Sequence, residues 1–277
     1  MTSEEKQECN APPRLPRLPS YLHQFIQKYP KYAPIDEHAM IGNMFTCALV
    51  TVDACIDWFC YPFFDSPSIF GAILDANKGG FFRISVGLPA YRISDEMVKH
   101  KQMYVPGTNV LISRVLSENG VSQISDFMVV RDPDTPVSRK TCAGKCKEQG
   151  WILREVEVIR GRSYFQVECC PAFNYARDSH RVEILTHGAR FNCESMKLKM
   201  VISSTTALTW RPHPTFSGGV IAEFSLCEGG TLDFFVFNSL SFRETSVCFQ
   251  RKFLRKKRQS IQARRISGQN RASCIFR

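Results

Sequence analysis

Segments of strand length, separated by turn-forming residues, follow one another along the chain from about residue 41. Apolar and charged side chains alternate within residues 151–159, which places Val156 and Val158 on one face of a strand and Glu155 and Glu157 on the other. Turn formers lie between such segments, at 118–120, 160–162 and 227–230. Strands are predicted over 46–52, 56–61, 80–86, 110–117, 123–130, 152–160, 163–170, 182–186, 197–203, 219–226 and 231–238.

Helical periodicity is confined to two short segments. Apolar residues at helical spacing predict one short helix over 21–29, which Pro30 ends. A second short helix is predicted near 67–74, beginning at Ser66 or Pro67. Regularly spaced strands with so little helix predict an all-β fold, an antiparallel β-sandwich of the super-sandwich type.

Composition divides the chain into three predicted regions. Prolines at 12, 13, 16 and 19 favour an extended leader, which with the first short helix covers 1–33. The β-sandwich domain is predicted over 34–245. A basic tail over 246–277 is predicted to be disordered, because it is polar and highly charged.

The net charge of +10 belongs to that tail. Residues 251–277 contain ten Lys and Arg and no Asp or Glu, which leaves 26 basic against 26 acidic residues in the first 250. A neutral body gives no electrostatic reason to expect nucleic acid as its partner. A nucleic-acid or nuclear-targeting role stays open for the tail alone, through the basic run Arg255-Lys256-Lys257-Arg258.

Neither a membrane span nor a secretory signal is visible. No apolar run approaches 18 residues, and the polar, acidic first ten residues have no apolar core. A cytoplasmic protein without a membrane partner is therefore expected, with its twelve cysteines as reduced thiols. Neither Cys142 with Cys146 nor Cys169 with Cys170 has a second pair at zinc-finger spacing, so no metal site and no cofactor are predicted.

Several blocks of residues resemble a known family, in the same order. Ile41-Gly42-Asn43, Ile56-Asp57-Trp58 and Phe64-Asp65-Ser66-Pro67 are similar to the opening of the glycoside hydrolase family 15 proteins, the glucoamylase and trehalase-like enzymes. The resemblance covers roughly 34–238 and implies the N-terminal β-sandwich domain of such a protein. Further matching blocks are 79–84, 104–111, 124–128, 154–161 and 168–177.

The resemblance also implies where catalysis takes place. Glycoside hydrolysis needs two carboxyl groups, about 6.5–9.5 Å apart in inverting enzymes. In the family both are glutamates on a helical barrel that follows the β domain, and the sequence ends or becomes basic tail where that barrel is expected. The chain alone is therefore expected to be truncated and inactive. Its sugar, an α-glucoside of the trehalose type, would be bound through a missing or separate catalytic domain.

One cluster of acidic and aromatic residues is a candidate for binding a substrate or docking a domain. Aromatic faces stack on sugars and carboxylates accept their hydrogen bonds. A structural role is the favoured alternative, in which the aspartates cap turns or the second helix and Trp58 and Phe64 fill the core. The candidates are Asp57, Trp58, Tyr61, Phe64 and Asp65.

Four positions depart from the family pattern. Ala54 and Cys55 stand in place of Gly-Ser, and because glycine supplies a positive φ at such a turn, Ala54 is expected to strain or alter it. Phe45 and Phe63 stand in place of arginines, which removes two planar donors that could contact a sugar or a neighbouring domain.

The sequence is therefore consistent with three functions. The first is the non-catalytic domain of a family 15-like protein, in carbohydrate metabolism. The second is a carbohydrate-binding or protein-docking sandwich module, since a missing barrel would leave an apolar docking face exposed. The third is the nucleic-acid or nuclear-targeting role of the tail.

Overall fold

The computed structural model describes residues 32–87, 98–117, 120–128 and 151–238. The predicted helix over 21–29, the basic tail and the pair Cys142 and Cys146 lie outside these ranges. Within them the chain forms fifteen strands, a 3-10 turn at Ile35–Glu37 and one short helix, α1, at Phe173–Ala176. The strands are β1 His38–Gly42, β2 Cys47–Thr51, β3 Cys55–Cys60, β4 Ser68–Phe70, β5 Phe81–Val86, β6 Lys99–Tyr104, β7 Leu111–Ser117, β8 Gly120–Met128, β9 Ile152–Cys170, β10 Arg181–Leu185, β11 Gly188–Cys193, β12 Leu198–Ser204, β13 Arg211–Pro212, β14 Val220–Cys227 and β15 Thr231–Asn238.

Two antiparallel sheets share the long strand β9. Sheet A runs in the order β1-β2-β3-β5-β9-β14-β13, with β4 beside β3. Sheet B runs in the order β6-β7-β8-β9-β15-β12-β11-β10. The largest apolar cluster takes side chains from both sheets, among them Phe82 and Phe165 of sheet A and Phe191 and Phe234 of sheet B. The prediction of an all-β antiparallel fold is thereby confirmed.

The predicted turn at 160–162 is wrong, because β9 continues through it. The first half of β9 pairs with β8 and β15 in sheet B, and its second half pairs with β5 and β14 in sheet A. Ladder hydrogen bonds on both sides thus keep the strand extended while it passes between the sheets. Gly161, at φ 78°, lies at this transition and faces Gly120 of β8.

The short helix predicted near 67–74 is also wrong. Ser68, Ile69 and Phe70 form β4, which is buried along its length and pairs with β3. The chain then turns, and the Leu74 N–H donates to the Gly71 carbonyl at 3.0 Å. Pairing with β3 satisfies the backbone and buries all three side chains, whereas a lone helical turn would bury one face only.

A buried arginine ties the two sheets together. Arg154 of β9 donates from Nε and Nη2 to the two carboxylate oxygens of Asp126 of β8, at 2.8 and 3.1 Å. It also donates to the carbonyls of Phe82 at 2.9 Å and Ala54 at 2.6 Å, on the side of sheet A. Both charged side chains are 0% exposed. Ala54 itself has φ 60°, the positive angle expected where the family pattern has glycine, and its carbonyl accepts from this arginine.

Candidate functional site

Asp57 lies in a β-bulge of β3. The register of β2 with β3 shifts there, since Leu49 faces Trp58 while Val50 faces Ile56. The Asp57 carbonyl accepts from the Ile73 N–H at 3.3 Å, and its Oδ2 lies 2.8 Å from His38 Nε2. No local pattern predicts this partner, because His38 comes from β1 and reaches Asp57 only when β1, β2 and β3 have paired.

One proton is shared by His38 and Asp57. The Nδ1 of His38 lies 2.8 Å from the Pro34 carbonyl, which can only accept, so Nδ1 carries a proton. The contact between Nε2 and Oδ2 then needs a second proton, which makes the pair imidazolium with carboxylate or imidazole with carboxylic acid. Since the His38 and Asp57 side chains are 4% and 10% exposed, a glycosidic oxygen does not reach this buried pair.

The pKa of both groups is raised. Burial raises the pKa of Asp57, against the opposing effect of the His38 hydrogen bond and charge. Burial alone would lower the pKa of His38, but the Asp57 hydrogen bond and charge and the bond to Pro34 outweigh it and raise this pKa. The other Asp57 oxygen, Oδ1, is buried without a hydrogen-bond partner in the described ranges, which adds to the cost of ionising the acid.

Trp58 packs against the short helix α1. Its ring lies 6.3 Å from that of Tyr175, which is 40% exposed and has the Arg177 guanidinium 5.6 Å from its centroid. Residues 174–176 all have left-handed backbone angles, with φ between 52° and 61°. Ser68 holds this strained turn by accepting from the Tyr175 N–H at 3.1 Å.

Tyr61 faces a different part of the molecule. It lines a shallow, open apolar cleft between β3 and the end of β15, and the Asn238 amide lies 3.5 Å from its hydroxyl. Burial raises the pKa of this phenol. The other residues that line the cleft are Phe59, Ile69, Leu198, Met200, Val236 and Phe237.

Phe64 does not fill the core, so the structural alternative for this residue is wrong. It is 56% exposed in the turn between β3 and β4, and its N–H donates to the Phe45 carbonyl at 3.1 Å. The Phe45 and Phe63 rings lie 6.5 Å apart and are 37% and 47% exposed. We call Phe45, Phe63 and Phe64 the aromatic patch. Asp65 is exposed beside it, and it is Ser66 that accepts from the Phe63 N–H, at 3.0 Å.

The five candidate residues therefore do not converge on one cavity. Asp57 meets His38, Trp58 meets Tyr175, Tyr61 meets Asn238, and Phe64 and Asp65 lie in an exposed turn. What the structure adds is the aromatic patch, whose members Phe45 and Phe63 were visible in the sequence only as departures from the family pattern.

A second polar cluster lies on the outer face of sheet A and was not predicted. His213 Nδ1 accepts from the N–H groups of Thr215 and Phe216 at 3.2 and 2.9 Å, so its Nε2 carries the proton and donates to Glu168 at 3.1 Å. The Arg83 guanidinium lies 3.8 Å from the other Glu168 oxygen. Glu168 is thereby held between His213 and Arg83.

The cysteines of the described ranges are mostly thiols. Cys47, Cys55, Cys60, Cys169, Cys170 and Cys193 are free. Cys227 is disulfide-bonded, so the expectation that all twelve are reduced is wrong at that position. Cys169 lies in the core between the sheets, while Cys170 packs with Phe81 on the outer face, so the two thiols point apart.

Metal-ligand clusters and membrane-spanning helices are both absent from the described ranges. Among the described residues no three His, Cys, Asp or Glu side chains are grouped as metal ligands. No helix of the described part has the length and apolar character needed to cross a bilayer.

Comparison with known proteins identifies relatives of this chain. Residues 29–138 match the family model described as "Trehalase-like, N-terminal". A trehalase of Thermoplasma volcanium is 31% identical over 179 residues, which cover 64% of this chain and 25% of that protein. A trehalase of Mycobacterium tuberculosis is 28% identical over 217 residues, which cover 66% of this chain and 31% of that protein. The chain thus spans about a quarter to a third of the length of these relatives.

One further relative aligns over a shorter segment, and one solved structure has a weak likeness to this chain. "Trehalase 1" of Sulfolobus acidocaldarius is 41% identical over 136 residues, which cover 49% of this chain and 19% of that protein. A putative kojibiose phosphorylase from the human microbiome superposes with a TM-score of 0.42 at 11% identity, over 80% of this chain and 32% of that chain, a likeness too low to carry an argument.

Proposed function

We propose that this chain is the non-catalytic N-terminal β-sandwich of a trehalase-like protein of the glycoside hydrolase family 15 type. In this proposal it docks on a catalytic domain, carried by a longer form of the chain or by a separate one, that acts on trehalose or another α-glucoside. The match over 29–138 and the trehalases at 28–41% identity support it, and those trehalases are three to five times longer than the segments that align.

A non-catalytic role fits the state of the carboxylates. Asp57, Asp126 and Glu168 are each held by a cationic or histidine partner in the interior or on a covered face. A general acid must reach the glycosidic oxygen, and a buried ion pair does not. Asp65 is exposed, but it lies on a turn beside the aromatic patch rather than in a cleft.

The aromatic patch is the feature that best supports the docking role. Phe45, Phe63 and Phe64 expose large apolar rings within the segment that matches the trehalase-like domain, and the Phe45 and Phe63 rings lie 6.5 Å apart. Burying such rings against a partner lowers the free energy by roughly 25 cal/mol per Å² of apolar surface removed from water. An exposed apolar patch of this kind therefore favours the binding of a protein partner. The two phenylalanines that replace family arginines make this surface more apolar than the family pattern.

The test is a chimera in which this chain replaces the aligned segment of the Thermoplasma volcanium trehalase. We expect the chimera to release glucose from trehalose and the chain alone to release none. Replacing Phe45, Phe63 and Phe64 by alanine should lower the activity of the chimera, whereas Ile184→Ala, which removes an exposed side chain at the edge of sheet B, should not. A folded but inactive chimera, or glucose release by the chain alone that is lost on mutating its own carboxylates, contradicts the proposal.

A carbohydrate-binding module is the second candidate, and the ring pair Trp58 and Tyr175 favours it. Half-exposed aromatic rings with an arginine beside them are suited to stack on a pyranose. Isothermal titration with trehalose and malto-oligosaccharides should then show binding that Tyr175→Ala removes and Ile184→Ala retains. Titrations without heat for any of these sugars exclude this candidate.

A further inference from the structure

Two cysteines face each other across the first strands of sheet A. The β2–β3 ladder ends with Ala48 paired to Phe59, and the same antiparallel register continued by one residue sets Cys47 opposite Cys60. Ala48 and Phe59 point into the core, which directs both cysteines to the outer face. Directly opposed residues have Cβ atoms about 4.5–5.5 Å apart, close to the separation that a disulfide spans.

The surroundings leave one of the two thiols accessible. Gly42 of β1 lies on the other side of Cys47 and has no side chain, and a Cβ added to Gly42 would lie 3.4 Å from Cys47 Cβ. Cys47 is half-buried, while Cys60 is 2% exposed and has a side-chain hydrogen bond with Tyr175. An oxidant from solvent therefore meets Cys47 first.

We propose that Cys47 and Cys60 form a dithiol modification site, which a peroxide converts to a cross-strand disulfide. The Cys47 sulfur attacks one peroxide oxygen, the O–O bond breaks, and a sulfenic acid and one water form. The Cys60 sulfur then attacks the Cys47 sulfur, which forms the S–S bond and releases the second water. In total two thiols and one hydrogen peroxide give one disulfide and two waters.

Cys55, Cys169 and Cys170 are not placed for this reaction. Cys169 and Cys170 point to opposite faces of β9. Cys55 and Cys170 share the outer face, but β5 lies between their strands, and two strand spacings are about 10 Å. Burial raises the pKa of Cys47, and burial together with Cys47 raises that of Cys60, so the thiols stay protonated at neutral pH and the site reacts slowly.

Peptide mapping of the whole chain tests the site directly. The reduced protein is treated with hydrogen peroxide in native buffer, alkylated, and cleaved before aspartate without reduction. Aspartates at 36, 53, 57 and 65 put Cys47, Cys55 and Cys60 into three separate fragments, 36–52, 53–56 and 57–64. The expected result is a cross-link of 36–52 with 57–64, lighter by two hydrogens than the sum of its two fragments. Recovery of both cysteines as alkylated thiols after peroxide, or a cross-link of either one to Cys55 instead, overturns the proposal.

Matched variants separate the site from general oxidation. Cys47→Ser should abolish the cross-link, whereas Cys193→Ser, at a buried position of β11, should retain it. A trivalent organic arsenical gives a second readout without an oxidant, because it condenses with two adjacent thiols and releases one water. It should protect Cys47 and Cys60 from alkylation in the native chain but leave Cys60 unprotected in Cys47→Ser. Equal labelling of Cys60 in both proteins after arsenical treatment contradicts the geometry.

Discussion

One buried pair of charged or titratable side chains lies on each side of sheet A, and the two pairs differ in their hydrogen bonds. Arg154 and Asp126 lie between the sheets and are 0% exposed, with four hydrogen bonds from the guanidinium. His38 and Asp57 lie on the outer face and are joined by a single shared proton. A guanidinium keeps its charge throughout the pH range in which proteins fold, whereas an imidazole does not. The cation of the inner pair therefore does not depend on pH, whereas the outer pair attaches the segment around Pro34 in a pH-dependent way.

The largest effect is expected from removing the inner cation. Arg154→Met leaves the Asp126 carboxylate buried without its cation and two carbonyls without a donor, so we expect the free energy of unfolding to fall by about 3–5 kcal/mol. Urea denaturation measures it. Arg190→Met is the control, because its bridge to Glu183 has side chains 31% and 60% exposed and should be worth about 0–1 kcal/mol. Similar losses of unfolding free energy in the two variants would contradict the expectation that the buried pair contributes more to stability than the exposed one.

The outer pair should show itself as a dependence of stability on pH. The pKa of His38 is raised in the folded protein, so its contribution is complete below the ordinary histidine value of 6.5 and is lost as pH rises through the raised pKa. The raised pKa of Asp57 acts in the same direction, since folding favours the protonated acid. His38→Gln should flatten the fall in urea midpoint above pH 6.5. An equally steep fall in the variant would show that another group is responsible.

The smallest effect on folding is expected at the aromatic patch. Phe64→Ala removes a ring that is 56% exposed and should change the free energy of unfolding by no more than about 0.5 kcal/mol. Phe70→Ala, in the neighbouring strand β4 and 0% exposed, should cost about 3–5 kcal/mol. A large loss of stability in Phe64→Ala would mean that the ring supports the fold rather than an exposed docking surface.

The local pattern of apolar and polar side chains was sufficient to predict most of the strands. The alternation of Val156 and Val158 with the neighbouring glutamates has the period of a strand, and both valines are fully buried. The strand predicted over 231–238 has the bounds of β15, and β7 pairs with β8 as an antiparallel neighbour. Strands with weak alternation were missed, among them the polar β6 and the short β13, because they are held by pairing rather than by their own apolar pattern.

The sequence by itself determined the fold class, because side-chain period and turn chemistry are local properties of the chain. The tertiary structure decided the role of each residue that the sequence patterns had singled out. Gly161 continues a strand because partners on both sides supply hydrogen bonds, and Asp57 became part of an ion pair because strand pairing brought His38 to it. Phe64 is exposed although phenylalanine favours the interior, since the turn that carries it lies outside the two sheets. Burial and partnership depend on residues distant in sequence, and these meet only when the sheets have formed.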